Sequence, residues 1–209
     1  QFGENLGLET IVDKVGNVII RKPATPGYEN RMGVVLQAHV DMVPQKNSDK
    51  VHDFEKDPIE TRIVDGWVKA NGTTLGADNG VGAAAAMAVL KDNTLVHGPI
   101  EVLFTVDEET GMTGANALEP GVLKGDILIN TDSETEGELY VGCAGGIDTC
   151  GYFTPKFEEV PAGSKAFQFI VKGLKGGHSG MDIILGRANA NKVMNALLLK
   201  ATEKFNARV

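Results

Sequence analysis

Cysteine is scarce in this chain: Cys143 and Cys150 are its only two. Their spacing does not match a structural zinc site, and a single pair of thiols is no disulfide framework. Reduced thiols are the expectation, which fits a reducing compartment and a cytoplasmic protein. The sequence also lacks any run of about 18 apolar residues, so no membrane-spanning helix is expected. No signal-peptide pattern is visible at Gln1, although the chain does not open with Met. Clusters of Lys and Arg are missing as well, and the net charge is -8. Nucleic-acid binding needs a basic patch, so that class is excluded. Internal repeats and low-complexity tracts are absent too.

What is present is enough apolar material for a core, 42% of 209 residues, in a length that suits one domain or one domain and part of another. Glycine is abundant at 26 residues, and many glycines adjoin acidic or histidine residues. Such loops bring backbone close to a site.

Three apolar runs dominate the first part of the chain. Gly33 to His39, Glu101 to Val106 and Asp126 to Asn130 read as strands buried in a sheet covered by helices. Gly16 to Arg21 reads as a further short strand, and Ile59 to Lys69 as a hairpin turning at Asp65-Gly66. Val81 to Lys91, rich in Ala, Met and Leu, reads as a packed helix, and Gly114 to Leu118 as a short one. Beyond Pro161 the character changes. Lys165 to Gly173 alternates like a half-exposed strand, and Asn189 to Phe205 has an amphipathic helical face. The expected fold is therefore α/β: a mixed, mostly parallel sheet flanked by helices, followed by the start of an α+β domain. Residues 1–160 form the first domain and 161–209 the beginning of the second.

Each of the three buried strands delivers acidic or histidine residues at its end, where ligands bind in open α/β sheets. His39-Val40-Asp41 puts an imidazole and a carboxylate on the same side of a strand end. It is either a surface His–Asp pair or a metal ligand whose other ring N–H is held by Asp41. Asp78, in Gly76-Ala77-Asp78-Asn79-Gly80, stands just before a helix, where a carboxylate either caps the helix or bridges two cations. A phosphate cradle is excluded, because Asp78 would repel a phosphate. Glu108-Glu109 places adjacent carboxylates at a strand end, which is costly unless a cation, a proton or a polar surrounding compensates. Metal-assisted hydrolysis gives such a pair two jobs, one acid holding the metal and the other taking a proton from water. Asp132 is a fourth such position, readable also as a turn residue. His178, flanked by glycines, is either an idle loop residue or a hydrogen-bond donor to a substrate.

Taken together, Gln37-Ala38-His39-Val40-Asp41-Met42-Val43-Pro44, Gly76-Ala77-Asp78-Asn79-Gly80, Asp107-Glu108-Glu109, Asn130-Thr131-Asp132 and Gly176-Gly177-His178-Ser179-Gly180 resemble the co-catalytic zinc peptidase family of aminoacylases, carboxypeptidases and dipeptidases. Gly142-Cys143-Ala144-Gly145-Gly146 and Lys172 to Gly180 draw the resemblance toward its bacterial dipeptidase branch, which acts on Xaa-His and other dipeptides. The likeness runs along nearly the whole chain. It implies that His39, Asp78 and Asp132 hold one zinc and that Asp78 and Glu109 hold a second. It also implies that Asp41 orients His39, that Glu108 is the general base and that the peptide after Asp78 is cis. Residues 161–209 then begin a lid, where such enzymes dimerise, and His178 and Asn189 contact substrate, although Asn189 also reads as a helix cap. Manganese or cobalt suits a carboxylate-rich set as well as zinc. The family completes its second metal with a histidine far along a longer chain, a role that neither His52 nor His97 fills. The expectation is a piece of a longer homodimeric enzyme, holding at most one metal well and inactive by itself. A non-catalytic metal- or peptide-binding module and an N-acyl amino acid deacylase of the same architecture remain open alternatives.

Overall fold

The computed structural model describes residues 1–143, 145–147, 149–177, 180 and 182–209. They fall into two compact units, Gln1–Leu139 and Tyr140–Val209.

The first unit is built on a five-stranded mixed sheet. A one-turn helix α1 (Phe2–Asn5) precedes β1 (Glu9–Val12) and β2 (Val18–Lys22), an antiparallel pair. The third strand, β3 (Val34–His39), is followed by the hairpin β4 (Thr61–Val64) and β5 (Trp67–Ala70). Asp65 and Gly66 both take positive φ, 53° and 79°, as a two-residue turn between right-twisted strands requires. Helix α2 (Ala77–Lys91) leads to β6 (Ile100–Thr105), two short helices α3 (Glu108–Gly111) and α4 (Thr113–Asn116), and β7 (Ile127–Asn130). The strand order is β1-β2-β6-β3-β7. β2 runs antiparallel to β6, whereas β3 is parallel to both β6 and β7. The carboxyl ends of β3, β6 and β7 therefore meet at one edge.

The apolar runs explain the two faces. On one face Ile20, Ala38, Val102 and Phe104 pack with Ala86 and Leu90 of α2. On the other, Ile19, Val35 and Leu103 pack under Leu118, Val122 and Leu123. β6 is buried at every position, as a central strand covered on both sides must be. The expected mixed α/β sheet is thus present, with its parallel pairings in one half. β7 departs from expectation. Its residues are all exposed, since among the described residues it is an edge strand. An apolar run reports the capacity to be buried, and burial itself needs a neighbour.

In the second unit the described residues form a 3-10 turn (Ile183–Leu185) and α5 (Ala190–Phe205). Asn189 caps α5, its side chain accepting the Lys192 N–H at 3.1 Å. Asn206, with φ 49°, ends it. No strand forms at Lys165 to Gly173, a correction to the alternation read there. These residues are almost all exposed, and no described strand in the unit offers them a ladder. Among the described residues no helix is long and apolar enough to cross a membrane.

Candidate metal centre

The parallel half of the sheet presents its site at the shared edge. His39, the last residue of β3, is 1% exposed, and its ring lies between two carboxylates. Nε2 is 2.9 Å from Asp78 Oδ1 and 3.3 Å from Asp132 Oδ1. Nδ1 lies 3.0 Å from the Asp41 carbonyl oxygen and 3.4 Å from Asp41 Oδ1. The Nδ1–H donates there, which turns Nε2 toward Asp78 and Asp132.

Asp78 reaches this position through an irregular helix start. Gly76 sits in the left-handed region with φ 78°, and Asp78 and Asn79 depart from helical angles across a kink. The Asp78-Asn79 peptide is cis, as the resemblance implied. No side chain caps this end of α2, and the Asp78 carboxylate goes to His39 instead. Gly82, one turn on, admits no side chain, because a Cβ there would collide with Asn79 Oδ1 and Thr131 Oγ1.

The three acids after β6 separate by role. Asp107, with φ 58°, turns its carboxylate back to the hydroxyls of Thr110 and Thr113. Glu108 and Glu109 open α3, and Asp41 accepts both of their backbone N–H groups, at 3.0 and 3.1 Å. Asp41 thus touches His39 through its carbonyl and holds the Glu108-Glu109 backbone through its carboxylate. The start of this turn is fixed from outside by buried Asn17. Its Oδ1 accepts the Val106 N–H, and its Nδ2 donates to the Gly114 carbonyl at 2.8 Å. Nothing in the sequence around Asn17 signals that task, because its partners are remote in the chain.

Two groups of three ligand atoms lie within 4.8 Å of one another: His39, Asp78 and Asp132, and His39, Glu108 and Glu109. The first is the set expected for one metal. In the second, Glu109 clusters with Glu108 and His39, whereas the resemblance paired it with Asp78. His178 lies outside the described residues. Asn189 belongs to the second unit, where it caps α5.

The electrostatics show a surplus of negative charge. Burial, the hydrogen bond shared with Asp78 and the Asp78 charge push the Asp132 carboxyl up to about 6. Burial and the charges of Asp78 and Glu108 raise Glu109. Burial alone would lower His39, but the Asp78 hydrogen bond and the charges of Asp132 and Asp78 outweigh it and raise it. For Asp41 burial is again outweighed, here by the Glu108 and Glu109 N–H groups, and its carboxyl is lowered. Among the described residues the ion pairs of Asp41, Asp78 and Asp132 all lead to His39. One imidazole cannot balance that many carboxylates, and a divalent cation can. The donor set, one nitrogen with carboxylate oxygens, fits zinc and related metals.

A cavity of about 200 Å³ adjoins the site, bounded by Glu108, Asp132, Met112 and Leu128 among others. A larger one, about 520 Å³, opens at the opposite end of the sheet near Gly33, Ile100 and Glu101. Among the groups that line it, Arg21 is paired with Glu9 and Glu101.

Known proteins resemble this chain in sequence and in fold. The chain is 59% identical over 208 residues to the cytosol non-specific dipeptidase of Escherichia coli, covering 100% of this chain and 43% of that protein. The crystal structure of aminoacylhistidine dipeptidase from Vibrio alginolyticus matches 98% of this chain and 42% of its own, with a TM-score of 0.67 and 52% identity. An aminopeptidase structure from Bacillus cereus matches 64% of this chain and 36% of its own, with a TM-score of 0.52 and 29% identity. The chain therefore spans less than half the length of these relatives. The model of peptidase family M20/M25/M40 matches residues 35–143, the stretch that holds His39, Asp41, Asp78, Glu108, Glu109 and Asp132. The chain belongs to peptidase family M20/M25/M40.

Proposed function

We propose that this chain supplies the metal-holding part of an active site that hydrolyses dipeptides, including Xaa-His dipeptides. The family is metal-dependent, and a possible metal-binding group is present. The observation that carries the reading is the convergence of Asp78 and Asp132 on His39 Nε2. Two relatives, a cytosol non-specific dipeptidase and an aminoacylhistidine dipeptidase, supply the substrate class.

In this reading His39, Asp78 and Asp132 hold one zinc, and Asp78 and Glu109 contribute to a second; manganese or cobalt suits the same donors. When bound, the metal supplies Lewis acidity that lowers the pKa of water and polarises the peptide carbonyl. The chain's own residues do the rest. Glu108 takes the proton from the attacking water on its carboxylate and returns it to the leaving amine nitrogen. Asp41 keeps that carboxylate in place by holding the backbone beneath it, and it keeps His39 turned toward Asp78. Residues 1–160 then act as a catalytic domain and 161–209 as the start of a lid. The same reading carries a substrate contact for His178 and Asn189, a homodimer and a cytoplasmic location.

Elemental analysis tests the metal reading directly. The chain purified with zinc is expected to retain at least one equivalent, and Asp78→Ala to lose it. Zinc kept at the same level in Asp78→Ala would sink the assignment.

A further inference from the structure

At the site edge of the sheet, a row of polar side chains crosses three strands in one direction. The Asp132 N–H donates to Asn130 Oδ1 at 3.0 Å. Asn130 Nδ2 donates to Gln37 Oε1 at 2.5 Å, and Gln37 Nε2 donates to Thr105 Oγ1 at 3.0 Å. The Thr105 hydroxyl closes the row on the Ala38 carbonyl. Gln37 is the middle link and sits on the middle strand. Register places it opposite Asn130 on β7, and places Thr105 of β6 opposite His39. Its backbone adds to this, since the Gln37 carbonyl accepts both the Thr131 N–H and the Thr131 hydroxyl, each at 3.0 Å.

The row has a mechanical meaning. His39 is fixed by a buried strand, whereas Asp132 follows an exposed edge strand and has no apolar anchor of its own. Thr105 is 3% exposed and sits in the rigid centre. A link from Thr105 through Gln37 to Asn130 transfers that rigidity to the residues that carry Asp132. Side-chain amides suit the task because each donates and accepts at once, so hydrogen bonds in a row align and reinforce one another.

We propose that Gln37 is a positioning residue, whose side-chain amide fixes Asp132 beside His39 by tying β7 to the end of β6. The inference rests on the functional reading only for the value of Asp132's placement; the tie itself stands apart from it.

The test compares the chain with Gln37→Met, which keeps bulk and loses both hydrogen bonds, and with Gln37→Glu, which keeps the acceptor for Asn130 and accepts from the Thr105 hydroxyl in place of donating to it. Amide exchange with solvent, measured by NMR without metal, is the first readout. The Asp132 amide is expected to exchange at least about tenfold faster in Gln37→Met and near the original rate in Gln37→Glu, with the β3–β6 ladder amides unchanged in both. A packing role would favour Met over Glu and disturb the ladder. Zinc titration by calorimetry is the second readout, with affinity about tenfold weaker in Gln37→Met. Unchanged Asp132 exchange in Gln37→Met overturns the proposal, as does acceleration spread evenly through the ladder. Zinc bound equally by the chain and Asp78→Ala, or by neither, overturns the metal reading instead, while the Asp132 amide still decides the role of Gln37.

Discussion

Asp41 binds two neighbours in different ways, and its replacement separates them. Asp41→Asn keeps one acceptor oxygen and turns an NH₂ toward the second backbone N–H. Zinc affinity is expected to fall about 10- to 100-fold, as it does when groups that orient ligands are changed; calorimetric titration measures it. Glu108→Gln is expected to keep zinc while losing about 10²- to 10⁴-fold in rate in any form of the protein that turns over dipeptides. Loss of zinc in that variant would make Glu108 a ligand. A third residue matters for stability alone. Burial by itself would raise the Glu101 carboxyl, but Arg21 and the N–H groups of Lys124 and Gly125 hold it below its ordinary value of 4.5. A lowered carboxyl contributes stability that is fully present above the unfolded value and lost as pH falls through the folded one. Glu101→Ala is therefore expected to cost about 1–3 kcal/mol at pH 7, because it takes the acceptor from the Lys124 and Gly125 N–H groups and one of its partners from Arg21, and less at pH below about 4. Urea unfolding at the two pH values checks it. At this scale the sequence disclosed much. His39, Asp78, Glu108, Glu109 and Asp132 were legible because acids at the ends of apolar runs are costly without a purpose. The grip of Asp41 on a backbone 67 residues away was not, since backbone N–H groups leave no mark in a sequence.

Elements differ in how much their own sequence decides. β3 and β6 were readable because Val34 to His39 and Ile100 to Thr105 are apolar runs of strand length. α3 was not, since Glu108 to Gly111 has no apolar face and one turn has no period. β1 escaped notice as a short strand at the sheet edge without a buried residue. The same contrast sets the cost of mutation. Leu90 of α2 is 2% exposed, so Leu90→Ala is expected to lose about 2–5 kcal/mol. Ile129 of β7 is 47% exposed, and Ile129→Ala is expected to lose clearly less by the same denaturant measurement. Gly82→Ala opposes two effects within α2. Helix propensity favours Ala by about 1 kcal/mol. Collision with Asn79 and Thr131 is expected to outweigh that gain, and the variant unfolds at lower denaturant than the parent.

For the molecule as a whole, a bound ion would add stability by mass action. Zinc at about 100 times its dissociation constant would add about 2.7 kcal/mol, reversed by a chelator and absent in Asp78→Ala. The order in which the chain assembles decides where that energy acts. β1 and β2 form a local hairpin, whereas β3 must find β6 across the whole of β4, β5 and α2, and β7 joins from further still. Distant pairings are slow because loop closure comes before any contact rewards it. The ligand set draws one residue from each of these distant pieces, so it exists only once the parallel half of the sheet has closed. Zinc would then arrive after the folding barrier: it would leave the refolding rate alone and slow unfolding, so the ion would act as a lock on a finished sheet rather than a seed for it.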